Sequence, residues 1–566
     1  MPEKFREVQW TRLPGGGNAD AFVEHVHRLL SPEATAPAAT KVTQSVRHEP
    51  STGVASLRST RPASHSIVPW VVGSLLILAT GYLLADKFLF PKHAVPAATA
   101  PPNGPAPAPA IQAIPEKSVA VLPFVDLSEK HDQEYFADGM AEEILNLLVK
   151  LPDLKVIGRT SSFQFKGKTE DLRKIGTILA AAFVVEGSVR RSGDHMRVTA
   201  QLIDTRDGTH RWSETYDRNA DDAMKVQEQI AASLVRALEL EVSPSIAFGL
   251  RSKPKEREAY DIYLRGLHAA DKFTLDGWEE AVADFRRVLQ LDSSFVPAAE
   301  ALTESLMFQA GFAFVPEQTG WQQVREAAEA TLKLDPKSGI AHAALANVYL
   351  YQWDWIAAER ELNIALVLAP NDPSVLVYAA DERLIVGQWA QAVHLLDAAR
   401  AVDPLRPSVY EWSCWVYPML GRLPEAEKAC RRALEISPTY VGGAYNLGVT
   451  LLVQGKAEDA LTEMLKADDP ADQLAGLALA YHALHRNSDA EAALARLAAE
   501  HAEDTPMAVA DVYAFRGQND QALQWLDTAY TRRDHTLVYL KSDLLLKNLV
   551  HDPHYKALLR KMSLPE

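Results

Sequence analysis

The stretch LKLDPKSGIAHAALANVYL, Leu332 to Leu350, ends one helical pattern at an Asp-Pro step and begins another with small and apolar residues. The same punctuation returns down the chain, with prolines at 336, 370, 404 and 438, an interval of 34 residues each time. Proline lacks the backbone donor and clashes with the preceding turn, so each one stops a helix at the same phase of a repeating unit. The finer pattern keeps that phase. From Gly339, residues Leu345, Ala346 and Tyr349 fall on a first helix and Ala358, Leu362 and Ala365 on a second. The next units place Ala379, Ala380, Gly387, Ala392, Leu396 and Ala399, then Ser413, Cys414, Tyr417, Gly421, Ala426, Cys430 and Ala433, then Leu447, Gly448, Gly455, Ala460 and Ala467, at matching positions. Small residues let paired helices approach closely, larger ones fill the gap to the next hairpin, and no unit buries its faces alone.

A helix-turn-helix with this period resembles the tetratricopeptide (TPR) repeat. Weaker copies extend it to about eight repeats over 258–536, and LLLKNLVHDPHYKALLRKM, within 537–566, resembles the capping helix that closes such arrays. The resemblance implies a superhelix whose first helices line an inner groove for a protein or peptide partner. The groove positions of the central repeats are Ala343, Asn347 and Tyr351; Val377 and Asp381; Glu411 and Trp415; Tyr445 and Val449. Asn347, Tyr351, Asp381, Glu411, Trp415 and Tyr445 are the candidate partner-binding residues. The Lys and Asn set with which some TPR domains clamp a C-terminal carboxylate is absent apart from Asn347. The aromatic residues either anchor a partner or wedge between repeats.

Residues 117–242 alternate strand and helix patterns: SVAVLPF, a helix from Gln133 to Lys150, LKVIG, a helix capped by Thr169 and ending at Leu179, AAFVVEGSVRRSG, HMRVTAQLID, THRWSETYD and a helix from Asp222 to Leu240. Gly193 and Asp207-Gly208 supply turns. The expectation is an α/β domain with a mixed five-stranded sheet, parallel first and then an antiparallel meander. SVAVLPFVDLSEKHDQEYFADGMAEEI, VIGRTSSFQFKGK and VVEGSVRRSGDHMRVTAQLIDTRDGTHRWSETYDR closely resemble the TolB amino-terminal-like (FlgO-like) domain of bacterial envelope and signalling proteins. That resemblance implies a non-enzymatic module that accompanies membrane spans and helical repeats.

Ile67 to Ala85 is a run of nineteen residues without a charge, long enough at about 1.5 Å per residue to match a bilayer's hydrocarbon core. Residues 67–90 are therefore expected to form one transmembrane helix, and 91–116, mostly Pro and Ala, an extended linker. Arginines 47, 58 and 61 before the span, against Lys87 and Lys92 after it, favour a cytoplasmic N-terminus. The expected placement is single-pass in a bacterial inner membrane, with the later domains periplasmic. Gly81-x-x-x-Ala85 has the small-residue spacing of a helix dimer, so a homodimer is an open alternative. Within 1–66, FREVQWTRLPGGGNADAFVEHVHRLL resembles the last strand and helix of a Toll/interleukin-receptor-like (TIR) domain; a disordered cytoplasmic tail is the other reading.

Among 566 residues, 47% hydrophobic and 23% charged is globular composition, and a net charge of −16 argues against nucleic-acid binding, which needs clustered cations. Cys414 and Cys430 read as two small buried hydrophobes, or as a single disulfide if the compartment is oxidising. Several patterns imitate chemistry. Lys166-Gly-Lys-Thr169 lacks the earlier glycine of a phosphate-binding loop; Asp138, Glu142 and Glu143 read as a solvated helix face; His482-x-x-His485 and His551-x-x-His554 have metal spacing but no third ligand. No catalytic constellation, metal or cofactor is expected. The expected role is a membrane-anchored interaction or scaffold protein, with a transmembrane signalling component linked to a TIR-type output module as the alternative.

Overall fold

The computed structural model describes residues 114–149, 151, 153–240, 257–270, 272, 274–311, 315 and 317–564. Strands β1 (Ser118–Val121), β2 (Val125–Asp126), β3 (Lys155–Val156), β4 (Phe183–Ser192), β5 (His195–Asp204) and β6 (His210–Asn219) form one sheet. Its order is β3-β1-β4-β5-β6, with β2 also on β4. β1, β2 and β3 run parallel to their neighbours, while β4, β5 and β6 are an antiparallel meander. Gly193 and Gly208 turn that meander at φ 58° and 76°, a region glycine enters without a Cβ penalty.

Alternation along β1 sends Val119 and Val121 to one face and Ala120 to the other. On the first face lie α1 (Glu134–Val149) and α4 (Ala223–Ala237), whose Met140, Ile144, Val226 and Ile230 complete a core. On the second lie α2 (Arg159–Phe163) and α3 (Leu172–Leu179). The cap of α3 is Asp171, which accepts from Arg173 N, in place of the expected Thr169. An Asx cap reaches the orphan amides directly ahead of it, so the helix starts later than the capping pattern predicts.

The described residues between 257 and 532 form paired helices: α5 (Arg257–Ala270) with α6 (Leu275–Leu291), α7 (Val296–Gly311) with α8 (Glu317–Leu334), and α9 (Gly339–Tyr351) with α10 (Trp355–Leu368). They continue with α11 (Pro373–Ile385) and α12 (Trp389–Val402), α13 (Pro407–Met419) and α14 (Leu423–Ile436), then α15 (Gly443–Val453) and α16 (Ala457–Met464). The series ends with α17 (Pro470–Ala483) and α18 (Asn487–Glu500), and α19 (Pro506–Phe515) and α20 (Asn519–Arg532). Side-chain caps from Ser338, Asp354, Asp372 and Asp469 open four of these helices, and Pro373, Pro407, Pro470 and Pro506 occupy first turns, where a missing donor costs least. Close approach is real: a Cβ on Gly448 would lie 2.6 Å from Met464 of the paired helix. Consecutive first helices also pack on one another, which puts them on the inside of the curve.

The array clamps the sheet domain from both sides. Tyr260, Tyr263 and Leu264 of α5 join the core of the first face, and a Cβ on Gly139 would lie within 3 Å of the Leu264 side chain. Leu405, between α12 and α13, joins the core of the second. There Gly158 N donates to Val402 O (2.6 Å), Leu405 N donates to Ser161 Oγ (2.7 Å), and Asp403 accepts from Ser161 N (2.8 Å) and from Ser161 Oγ.

These observations correct the expected fold class. The described protein is mostly a helical TPR solenoid with a small mixed sheet of six strands; the sixth, β2, is two residues with Val125 exposed and Asp126 half-buried, so no apolar run of its own marks it. No helix among the described residues is long and apolar enough to cross a membrane. The expected transmembrane helix, and with it the inner-membrane placement with a periplasmic C-terminal part, is therefore withdrawn. The apolar run 67–85, the Gly81/Ala85 pair, the linker and the TIR-like stretch all lie outside the described residues.

Candidate functional site: the inner wall of the array

The first helices carry the six sequence-predicted residues, and all but Asn347 touch a neighbouring element. Asn347 Nδ2 donates to Ala343 O within its own helix (3.0 Å). Tyr351 stacks on Trp321 of α8 at 4.2 Å between ring centroids, the wedge between repeats that aromatics commonly form. Glu411 accepts from Asn446 Nδ2 (2.5 Å), joining the fifth repeat to the sixth. Tyr445 packs into the core shared by the fourth to eighth repeats, and burial raises its hydroxyl well above the usual range. Asp381 and Trp415 meet a segment that sequence reading did not place in the groove.

That segment begins directly after α20. Asp534 caps it, accepting from Thr536 N (2.9 Å), and His535–Ser542 form a 3₁₀ turn against α9, α11 and α13, the first helices of three successive repeats. Tyr539 lies 5.9 Å from Trp412 and 5.5 Å from Trp415, and its hydroxyl donates to Asp381 Oδ2 (3.4 Å). Ser542 Oγ donates to Leu384 O (2.5 Å) and accepts from Trp389 Nε1 (3.1 Å). Leu537, Val538, Leu540, Leu546 and Leu549 are fully buried, each worth roughly 2 kcal/mol of apolar transfer. We call residues 535–549 the strap. Beyond it, α21 (Pro553–Lys561) follows, and Met562 O accepts from Trp355 Nε1 (2.7 Å). Trp353 of the third repeat stacks on Tyr530 of the eighth (5.2 Å), so the curve closes around the strap.

The wall is acidic where it is covered. Burial pushes Asp381 up to about 8 and Glu411 up to about 7, and it also raises Asp511 of α19, with Asp543 and Asp534 nearby adding repulsion. Asp543 of the segment itself is pushed up to about 6 by burial. Asp381 Oδ1 and Asp511 Oδ1 are buried without a hydrogen-bond partner.

A second concave feature lies between the sheet domain and the array, a cleft of about 740 Å³ lined by Glu142, Arg159, Trp278, Glu304, Asp403 and Arg406 among others. Its acidic groups are held from within the cleft: Arg159 Nε donates to Glu142 (2.8 Å), Ser374 Oγ to Glu304 (2.8 Å), and Arg406 lies 3.8 Å from Asp403, whose Oδ2 accepts no hydrogen bond. The acidic face of α1 is thus buried, not solvated. Asp138 pairs with Lys166 and His268, because α5 and the loop after α2 pack over it.

Lys166 of the imitation phosphate loop serves that pairing and also reaches Glu134 (2.8 Å). His482 lies edge-on to Phe515 and His554 pairs with Asp527 (2.8 Å). Among the described residues, no group of three His, Cys, Asp or Glu could hold a metal ion. Cys414 and Cys430 are joined as a disulfide across α13 and α14, the second of the two readings.

The tetratricopeptide-repeat family profile matches residues 379–441. A putative adenylate cyclase from Rhizobium meliloti is 40% identical over 205 residues, 36% of this chain; the chain spans about a third (35%) of that relative's length. Solved structures similar in fold include a tetratricopeptide repeat protein from Parabacteroides merdae (13% identity, TM-score 0.31, 44% of this chain and 94% of that one). Others are the Pseudomonas aeruginosa PilF protein (17%, 0.29, 35% and 91%) and the Cut9–Hcn1 hetero-tetramer of the APC/C (15%, 0.38, 60% and 59%).

Proposed function

We propose that this chain is a protein-interaction scaffold that takes a peptide or protein partner on the inner wall of its TPR array, with Asn347, Tyr351, Asp381, Glu411, Trp415 and Tyr445 as the contact set. The observation that carries the reading is that consecutive first helices make one continuous wall, and this wall already holds an irregular polypeptide segment through aromatic and hydroxyl contacts. The sheet domain, clamped at Gly139 and Gly158, serves as a rigid platform that fixes the curvature of the first five repeats. A photo-crosslinking residue at Tyr351, compared with one at Val367 on the outer surface, tests it. A partner captured from position 351 and not from 367, and lost with Trp415→Ala, is the expected result. Equal capture from both positions, or none, counts against the reading.

The identity to a putative adenylate cyclase favours one further possibility, that the shared 205 residues are the partner-sensing portion of a signalling system whose output lies in another module, cyclase-type or TIR-type. Formation of cyclic AMP from ATP by the purified chain itself would assign it the output role and overturn that division.

A further inference from the structure

The strap satisfies the wall's shape but not its charge. It presents Tyr539 to Asp381 and Asp543 to the neighbourhood of Asp511, and of its own cations Lys541 Nζ donates to Val386 O (3.3 Å) while Lys547 is exposed. Asp381 and Asp511 are 5% and 7% exposed, one oxygen of each has no hydrogen-bond partner, and no ion pair to either is present among the described residues. A buried carboxylate without a cation is among the costliest states in a protein interior. A wall required only to hold this strap would be better served by Asn or Ser at both positions. The carboxylates become favourable only with an occupant that brings a cation into the same desolvated place.

We propose that the wall between the third and eighth repeats is the docking surface for a basic, apolar-flanked peptide, and that the strap occupies it until such a peptide displaces it. The inference rests on the scaffold reading above and names the partner's chemistry. A Lys or Arg arriving where Tyr539 lies would meet Asp381, with an apolar neighbour filling the space beside Trp412 and Trp415. The observed affinity is then the intrinsic affinity reduced by the fraction of molecules whose strap has left.

The test uses the full chain and two fluorescent peptides of the strap sequence Asp534–Leu549, one native and one carrying Tyr539→Lys. Ser542→Ala in the protein removes the hydroxyl that bridges Leu384 O and Trp389, which loosens the strap. On that variant the lysine peptide is expected to bind about tenfold tighter than the native one, with Asp381→Asn erasing the preference. Hydrogen exchange should show the strap's own amides losing protection as the lysine peptide binds. If Ser542→Ala melts early, Tyr539→Leu loosens the strap instead. Equal binding of the two peptides, no binding of either to a folded variant, or binding that leaves the strap protected overturns the proposal. A partner crosslinked at position 351 that leaves the strap protected would overturn this inference alone and leave the scaffold reading standing.

Discussion

Asp403, in the turn between the fourth and fifth repeats, and Asp381, on the first helix of the fourth, are both buried carboxylates that burial pushes upward. Their surroundings diverge from there. Asp403 faces the sheet domain and collects a backbone donor and a hydroxyl from Ser161, with Arg406 at 3.8 Å. Asp381 faces the strap and receives one hydroxyl at 3.4 Å. The first arrangement is a joint: its donors are fixed in the two bodies it ties together, and its second oxygen, though it accepts no hydrogen bond, has the Arg406 guanidinium beside it. The second has capacity left over, and leftover capacity in a concave wall is what a binding site offers before its ligand arrives.

The contrast breaks most visibly by substitution. Asp403→Ala removes the acceptor that both Ser161 donors share and leaves Arg406 buried without its nearest carboxylate, so a loss of about 3 kcal/mol in denaturant unfolding is expected. Exchange at Ser161 to Phe165 should rise with it. Asp381→Asn should instead stabilise the chain at neutral pH, since the amide keeps an acceptor for Tyr539 and spares the native state the cost of holding a proton on a buried carboxyl at that pH. Equal destabilisation by the two changes would erase the distinction between joint and site. Reduction of the Cys414–Cys430 disulfide comes next. Its closed loop spans a separation of 16 residues, for which the chain-entropy argument gives about 3 kcal/mol, and less where helix packing already orders the reduced form.

pH sharpens the same comparison. Asp381 is raised from 3.8 to about 8, so the native state holds its proton more tightly than the unfolded chain does. The corresponding stability is complete below about pH 4 and is lost as pH rises through 8, at a slope of up to about 1.4 kcal/mol per pH unit. Glu411, raised to about 7, and Asp543, raised to about 6, act in the same direction. Asp204, held well below the carboxylate range by hydrogen bonds from Arg206 and Arg211, contributes the opposite sign, but only at pH values below its ordinary one. Urea midpoints should therefore fall from pH 5 to pH 8, and Asp381→Asn should flatten the fall. A midpoint constant over that range would count against an uncompensated wall.

What was legible in the sequence follows from how local each signal is. The proline stops and the small residues at Ala346, Ala380 and Gly448 report contacts inside one hairpin, so a 34-residue interval suffices to read the solenoid. The sheet's strands were legible as apolar or alternating runs, the two-residue β3 within LKVIG included, while β2 was not, because it follows straight on SVAVLPF and its Val125 is exposed. The carboxylates of α1 carry the same local pattern buried or solvated; only the docking of α5, more than a hundred residues on, decides. The groove residues were assigned by their phase on the first helices, and phase says nothing of a segment that arrives from 158 residues away. Nor does the spacing of Cys414 and Cys430 choose between two thiols and a disulfide, since either fits where paired helices meet.

Tyr539→Phe is the smallest change that still separates the two aspartates. The ring stays beside Trp412 and Trp415, so packing is kept, and the hydroxyl's contacts with Asp381 and Tyr351 are lost, which costs about 1 kcal/mol. Its larger consequence is electrostatic. The Tyr539 hydroxyl is the contact that draws Asp381 downward against the effect of burial, so removing it raises that carboxyl further and moves the upper end of the pH-dependent loss to higher pH. The displacement is read by following urea midpoints of the two proteins from pH 7 to pH 9. Coincident curves would mean that Asp381 is satisfied by some other donor, and the wall beneath the strap would then be as complete as the joint at Asp403.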